Sequence, residues 1–472
     1  MKKAYKKLSL NISLFSISLF GTKIINFLLV PLYTNCLSTA EYGTADMLST
    51  VVQLLVPIFT LDIADAVIRF ALEENDKKEN VFLFALRVNL LGSALLFAIM
   101  FLLYTLKLIN VSERYMVFIF VSYFFTSIYN TITNYFRGRD KIIDIVISGI
   151  LSTLCNGLSN IIFLLYLDMG IKGYLYANLL SISIPTFFLL IRSWQYGFFS
   201  IKNVKIDKKL QKEMLKYCTP LIINGLSWWI NNSIDRFFVN AICGINANGL
   251  LAVAYKIPSI LAMFQTIFNQ AWTMSAIQEF DPEDKSGFLT KTYTYYGGAM
   301  IFASAFILLA NIPIAKLLYA KDFFEAWRYT GFYVLASLIS AMSICISGVF
   351  NAVKDSKILG ISTLLGAIIN ILCNVVFINL WGVLGAAVAT LLSNIVIWIY
   401  RMVKVKKYVY LKINIKRDIC AYIILGIMCG ASLTENHLYI VQISCIFILC
   451  YLYIKELIKI IECFKRKIMF RI

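Results

Sequence analysis

Three observations predict an all-α, polytopic membrane protein with about 14 transmembrane helices, arranged as two parallel six-helix repeats plus two C-terminal helices. First, the 472 residues are 60% hydrophobic and 15% charged, with a mean hydropathy of +0.77. An ordinary soluble domain is about 45–50% apolar and about 25% charged. Second, the apolar residues come in runs of helix length between short polar breaks. Third, basic residues crowd into alternate breaks. A water-soluble fold would need a single core larger than the ~250–300 residues at which cores stop growing, and disordered chains are poor in apolar residues. About 283 apolar residues, at roughly 20 per span, leave room for about 14 spans.

The runs lie near Leu8–Val30, Ala45–Ile68, Val81–Leu106, Tyr115–Phe136, Ile142–Leu167 and Gly173–Ile191. After a basic stretch they resume at Leu215–Asn240, Leu250–Ala276, Leu289–Ile312, Tyr329–Phe350, Ile358–Leu380 and Val383–Tyr400. A last pair sits near Ile419–Leu433 and Leu438–Ile461. Inside a bilayer every backbone group must be bonded within its own segment, which makes these runs helices. Pro57 and Pro258 fall within the second and eighth runs and are expected to bend them. The start, Met1-Lys2-Lys3 followed by a long apolar run, reads as a retained first helix because no small-residue cleavage site follows it.

Net charge is +18, from 44 Lys and Arg against 26 Asp and Glu. Thirty-four of the cations lie in the tails and loops on the N-terminal side of the bilayer, six (Lys107, Arg114, Lys172, Lys316, Lys321, Arg328) in the opposite loops. By the positive-inside rule both termini are cytoplasmic, and the basic excess needs no nucleic acid. The divisions expected are 1–192 (six-helix bundle), 193–216 (basic cytoplasmic linker), 217–402 (second six-helix bundle) and 403–472 (two extra helices with a basic tail).

The second bundle repeats the first. Arg137-Gly138-Arg139-Asp140-Lys141 precedes Asn156 and Asn160, then Gly170, Gly173 and Ala177. Asn351-Ala352-Val353-Lys354-Asp355 likewise precedes Asn370 and Asn374, then Gly382, Gly385 and Ala389. The Asn pairs are offset by 214 and the Gly pairs by 212. Parallel repeats of this kind mark transporters that rock two halves about a central site.

Four cations remain within the spans: Lys23, Arg87, Arg236 and Lys256. A cation near the bilayer centre costs ~2.5–3.5 kcal/mol on insertion scales, so it faces a cavity or a partner. Asn224, Trp228, Asn231 and Asp235 share a helical face beside Arg236, and Gln270 lies along a similar stripe with Lys256. Together they predict a cationic, hydrated cavity rich in amides and aromatics, suited to an anionic diphosphate and to sugar hydroxyls. The plainer reading is structural: Arg236 pairs with Asp235 and locks two helices, although adjacent residues on a helix do not face each other and each would need another partner, and Arg87 snorkels to the interface. Asp62, Asp65 and Arg69, about a turn apart, are read as a gate network or as a site of ion coupling.

No enzyme chemistry is expected. The single histidine, His437, leaves no Ser–His or Cys–His pair, and no Walker-A or Gly-rich phosphate loop occurs. The eleven cysteines contain no Cys-x-x-Cys, so no metal or other cofactor is implied. Cys36 and Cys243 fall in outside loops where a bridge could form, although buried structural thiols are the simpler reading.

Specific segments carry a family resemblance. Phe20-Gly21-Thr22-Lys23, Pro31-Leu32-Tyr33-Thr34, Glu41-Tyr42-Gly43 and Asp46 resemble the N-terminal signature of the Wzx-type polysaccharide-biosynthesis flippases. That family shares a superfamily with MATE exporters and lipid II flippases. Pro220-Leu221, Ser227-Trp228-Trp229 and Asp235-Arg236 are similar to its seventh helix. Ala254-Tyr255-Lys256-Ile257-Pro258 and Phe268-Asn269-Gln270-Ala271-Trp272 are similar to its eighth. The resemblance implies alternating-access translocation of undecaprenyl-diphosphate-linked oligosaccharide repeat units for O-antigen, capsule or exopolysaccharide synthesis. It also implies a polysaccharide polymerase as partner, and because no nucleotide site occurs in the sequence an ion gradient, H⁺ or Na⁺, is the natural energy source. Two helices beyond a twelve-helix core resemble the fourteen-helix members and leave a lipid II or teichoic-type precursor open. A MATE-type multidrug or cation antiporter is the alternative, against which the four intramembrane cations count, and a non-transporting scaffold is a third reading.

Overall fold

The computed structural model of the protein describes residues 21, 24–73, 78–108, 111–198, 207–434, 439–454 and 456, and no strand occurs among them. The chain divides into two compact units, Met1–Phe237 and Phe238–Ile472. The first contains α1 (Val30–Cys36), α2 (Thr39–Thr60), α3 (Ile63–Glu73), α4 (Lys78–Thr105), α5 (Glu113–Gly138), α6 (Ile142–Asn160) and α7 (Gly170–Gln195). A π-helical turn, Ile161–Tyr166, extends α6. Helix α8 (Lys208–Cys243) contains the division between the units. The second unit continues with α9 (Ile245–Ala254), α10 (Ser259–Gln278), α11 (Phe288–Leu309), α12 (Asn311–Leu318), a 3₁₀ turn (Lys321–Ala326), α13 (Trp327–Ala352), α14 (Ser356–Trp381), α15 (Val383–Val405), α16 (Ile415–Ser432) and α17 (Tyr439–Leu452).

Among the described residues, nine helices are long and apolar enough to cross a membrane, or ten when Ile245–Ala254 and Ser259–Asn269, bent by 51°, count as one. The all-helical membrane fold is therefore as expected, and a total of about 14 spans is consistent with it. Exposed residues such as Leu91 (71%), Ile440 (82%) and Phe447 (71%) form outer faces that water would not tolerate and lipid does. The first unit's core is built around Phe82, Tyr135, Phe136 and Leu189. The second unit's core surrounds Trp272, Leu338, Met342 and Met428 and extends to Leu449 and Tyr453 of the C-terminal pair. That pair is pinned by polar contacts as well. Tyr453 Oη donates to Asp418 Oδ1 at 2.7 Å, and Arg417, which pairs with Asp418 and Glu456, stacks over the Tyr453 ring at 4.1 Å.

The internal repeat reappears as matching turns, hydrogen bonds and close glycine contacts. Asp140 and Lys354, 214 apart, both adopt left-handed φ (58° and 59°), and Lys141 N and Asp355 N close the turns onto Phe136 O and Phe350 O. The Asn160 side-chain amide donates to Asn156 Oδ1 at 2.6 Å, as Asn374 donates to Asn370 Oδ1 at 2.9 Å. Gly170 and Gly382 take positive φ (54° and 59°). Each following glycine packs against a phenylalanine: a Cβ on Gly173 would meet Phe163 Cβ at 2.9 Å, and one on Gly385 would meet Phe377 O at 2.0 Å. Tyr196 and Tyr408, 212 apart, each donate from Oη to an aspartate, but to non-equivalent ones, Asp144 Oδ2 and Asp355 Oδ2.

Several boundaries differ from the sequence reading. The second run is two helices, because Leu61 and Asp62 both take left-handed φ (53° and 55°) four and five residues after Pro57, which itself remains helical. Pro258 is the N-cap of α10, so the eighth run is a broken pair. Lys208–Lys216, read as linker, is the first part of α8. Arg401, counted with the cytoplasmic loop, lies inside α15 and is 8% exposed, because it falls on the buried stripe that runs through Ser393 and Ile397. Cys243 is an unbridged thiol, so the Cys36–Cys243 pairing is not made.

Candidate functional site

A ladder between α2 and α8 and a polar cavity at its end form the candidate site, all within the first unit. Helix α2 starts at a capping box: Ser38 Oγ accepts from Glu41 N, while Glu41 Oε2 accepts from Ser38 N at 2.9 Å. This satisfies first-turn backbone donors and directs the next turns inward. Tyr42 packs in an aromatic cluster with Tyr33 and Tyr174, at centroid distances of 5.0–6.1 Å. One turn on, Asp46 Oδ2 accepts from Arg236 Nε at 2.7 Å. Another turn on, Thr50 O accepts from Trp229 Nε1 at 3.2 Å. The last rung is steric: Gly225 lets α8 approach the α2–α3 break, where a Cβ would lie 3.3 Å from Asp62 Oδ2 and 3.7 Å from Pro57 Cβ. Partners ascend on α2 and descend on α8, so the two helices are antiparallel.

Beside the break, a cavity of about 490 Å³ opens among α2, α3, α5 and α6. Thr60, Asp62 and Asp65 line one wall; Asn130, Thr133, Asn134 and Arg137 of α5 line another, with Gly149 and Ser152 of α6. Consecutive left-handed residues other than glycine are strained, by about 1–2 kcal/mol for a leucine; here they place the Asp62 carboxyl at the cavity. Asn134 Nδ2 donates to Ala64 O at 2.9 Å and to Asp65 Oδ1 at 3.5 Å, and Arg137 Nη1 donates to Asn134 Oδ1 at 3.4 Å. Two carboxylates against one guanidinium leave the lining formally one negative charge, an environment for a small cation rather than for a diphosphate.

The expected site residues are dispersed. Lys23 lies outside the described residues, as do the side chains of Asn224 and Gln270. Arg236 is paired with Asp46, and it also donates from Nη1 to Asn232 O at 3.0 Å. Asp235 is fully buried, Asn231 donates to Ser227 O, and Trp228 is 65% exposed. It is Trp229, not Trp228, that enters the ladder. Arg87 is exposed beside Leu90 and Leu91, roughly 200° around α4 from the buried Asn89, and does not join the polar cavity. Lys256 is half-buried in the turn between α9 and α10. Asp62 and Asp65 meet at the cavity, whereas Arg69 stacks over the Tyr217 ring at 4.9 Å. The sequence reading passed over Asp46 as Arg236's partner, although the resemblance had already singled it out. It also passed over Thr133, Asn134 and Arg137, because a turn of mixed polar residues at a helix end carries no periodic signal.

A family model described as polysaccharide biosynthesis protein matches residues 8–278, a stretch that contains both the ladder and the cavity. The chain belongs to the polysaccharide biosynthesis protein family. It is 23% identical over 280 residues to an uncharacterised membrane protein, MJ1375, of Methanocaldococcus jannaschii, over 53% of this chain and 62% of that protein. The chain thus spans less than two thirds of that relative. Among solved structures it is similar to the lipid II flippase MurJ in an inward closed conformation, with a TM-score of 0.69 at 16% identity over 94% of this chain and 99% of that one. It is also similar to an inward-facing multidrug resistance MATE family transporter of the MOP superfamily, with a TM-score of 0.63 at 16% identity over 82% and 95%. At these identities the likeness is one of fold.

Proposed function

We propose that this family member is a non-enzymatic flippase that carries undecaprenyl-diphosphate-linked oligosaccharide repeat units across the bacterial cytoplasmic membrane, with both termini in the cytoplasm. Membership in the polysaccharide biosynthesis family is the observation that carries this reading. The duplicated six-helix unit supports alternating access, in which two rigid halves close in turn on either side of a central site. Lys23, Arg87, Arg236 and Lys256 are proposed as the cations that meet the diphosphate, with Asn224, Trp228, Asn231, Asp235 and Gln270 serving the sugars. The Asp46 partner refines the role of Arg236. A diphosphate would displace the Asp46 carboxylate, so the guanidinium exchanges one anion for another and is never left unpaired. Such exchange suits Arg, whose fork binds carboxylate and phosphate alike. A polymerase then consumes the delivered repeat unit.

The decisive measurement is a gene deletion in the native host. Lipid-linked repeat units should accumulate at the cytoplasmic face, and the intact gene should restore surface polymer. The second reading, a multidrug or cation antiporter, draws on the two carboxylates of the cavity. Drug resistance on expression, without any change in lipid-linked intermediates, would replace the flippase with that exporter. Accumulation of lipid II or of a teichoic-type precursor instead would keep the flippase and change its cargo.

A further inference from the structure

At one end of the first unit, cations from two segments converge on a pair of rings. The turn between α5 and α6 supplies Arg139 and Lys141, and the last turn of α7 supplies Arg192. Arg192 Cζ lies 4.9 Å and Lys141 Nζ 4.2 Å from the ring centroid of Tyr196, while Arg139 Cζ lies 5.1 Å from that of Phe198. The two rings are themselves 5.4 Å apart. Arg192 is fully engaged: Nε donates to Asp144 Oδ1 at 2.8 Å, and Nη1 and Nη2 donate to Gln195 Oε1 and Tyr196 Oη, each at 2.7 Å. Tyr196 Oη completes the set by donating to the other oxygen of Asp144. Arg139 and Lys141 differ. Both are half-buried, and among the described residues neither guanidinium nor ammonium has a hydrogen-bond acceptor or a carboxylate partner; each rests on a ring. Arg137, from the end of α5, is turned instead to Asn134 at the polar cavity.

A cation resting on a ring face keeps its N–H donors for another partner, and phosphate oxygens accept from guanidinium and ammonium alike. The charge suits a phosphodiester: Arg139, Lys141 and Arg192 against Asp140 and Asp144 leave the cluster formally one positive charge. Two exposed apolar stripes lead away from it, Ile143, Ile147 and Ile150 on α6 and Trp194, Ile191 and Phe187 on α7. A lipid whose headgroup sits at the cations therefore lays its chains on faces that the bilayer covers, with Trp194 at the interfacial level that indole rings favour. The second unit lacks this pair of cations. By the offsets of the repeat, Arg139 corresponds to Val353 and Lys141 to Asp355, whose carboxylate accepts from Tyr408 Oη. We infer that Arg139 and Lys141 form a binding site for one anionic phospholipid, its phosphodiester on the two cations and its chains along α6 and α7. Basic clusters at the ends of membrane helices recognise lipid headgroups by this chemistry. The inference needs only that the chain spans a membrane, so it stands apart from the flippase reading.

The test is native mass spectrometry of the full-length protein purified in detergent and titrated with dioleoyl-phosphatidylglycerol or dioleoyl-phosphatidylcholine. The second lipid has the same chains and phosphodiester, with the charge cancelled by choline. The first phosphatidylglycerol should bind about tenfold or more tightly than the first phosphatidylcholine. Arg139→Gln and Lys141→Gln should each weaken it about fivefold, and together should abolish the preference, with an unchanged gel-filtration profile. Lys141→Arg should keep it. Lys404→Gln combined with Lys406→Gln, which removes as much charge from exposed positions of the second unit, should leave the preference in place. Equal affinity for the two lipids overturns the inference, as does a preference that survives the Arg139→Gln, Lys141→Gln pair or is lost equally in the Lys404→Gln, Lys406→Gln pair. Displacement of the lipid by millimolar inorganic phosphate also overturns it, because the site would then be one for free phosphate.

Discussion

Breaking the Arg236–Asp46 pair should cost stability in a measurable and asymmetric way. The two side chains are 16% and 22% exposed and meet at 2.7 Å. Removing one member of a fully buried pair costs about 3–5 kcal/mol, and a solvent-exposed pair is worth about 0–1 kcal/mol. With this partial exposure the expected loss lies between, at about 2–3 kcal/mol for either single variant. Asp46→Asn should fall at the lower end, because Arg236 keeps its bond to Asn232 O and the amide can still accept from Nε. Arg236→Ala should fall at the upper end, because it leaves the Asp46 carboxylate without its guanidinium. Equilibrium unfolding in mixed micelles for wild type, Asp46→Asn, Arg236→Ala and the double variant gives the coupling directly. A coupling of about 1.5–2.5 kcal/mol is expected; less than about 0.5 kcal/mol, the ordinary error of additivity, would refute the reasoning. The functional arm separates packing from transport. Arg236→Lys keeps the charge but not the fork, so it should retain partial complementation of surface polymer, whereas Arg236→Ala should give none even when its expression is raised to match wild-type membrane abundance.

Further outcomes follow from single positions. Gly385→Ala should sharply lower folded yield, because its Cβ would meet the Phe377 carbonyl at 2.0 Å, whereas Gly360→Ala, with nothing within 4 Å, should be neutral or stabilising by up to about 1 kcal/mol in thermal unfolding. Leu61→Gly should stabilise by about 0.5–1 kcal/mol, since it relieves a left-handed leucine that is already 39% exposed. The Tyr408–Asp355 hydrogen bond holds the Asp355 carboxyl below its usual range, with backbone amides adding to the effect, and pushes the Tyr408 phenol up. The carboxylate's contribution is present above about pH 4 and is lost as pH falls through its depressed pKa, while the phenol's is present below about pH 10 and is lost as pH rises through its raised one. Tyr408→Phe should therefore flatten both ends of the stability–pH curve, and a wild-type profile in that variant would count against the contact. Lys256→Ala should abolish complementation without reducing membrane abundance; full complementation would remove Lys256 from the transport site.

Composition and periodicity sufficed for the membrane class, the helical content and the duplication, because a bilayer demands long apolar helices and a repeat leaves its polar and glycine residues at fixed offsets. The equivalence of Asn156–Asn160 with Asn370–Asn374, and of Gly173 with Gly385, was legible as spacing and reappears as the same hydrogen bonds and close contacts. What tertiary packing decided was the company each polar residue keeps. Arg236 and Asp46 are 190 residues apart, and no local pattern can pair them. Arg87 and Asn89 are two residues apart yet face opposite ways, since a helix turns about 100° per residue. Arg401 looks like the first charge of a loop, yet the buried stripe of α15 carries it among hydroxyls of neighbouring helices. The break at Leu61–Asp62 was beyond sequence reasoning because proline announces a bend, whereas left-handed leucine and aspartate persist only where surrounding structure holds them. The sequence alone could count the charges. Only the packed helices determined which were neutralised.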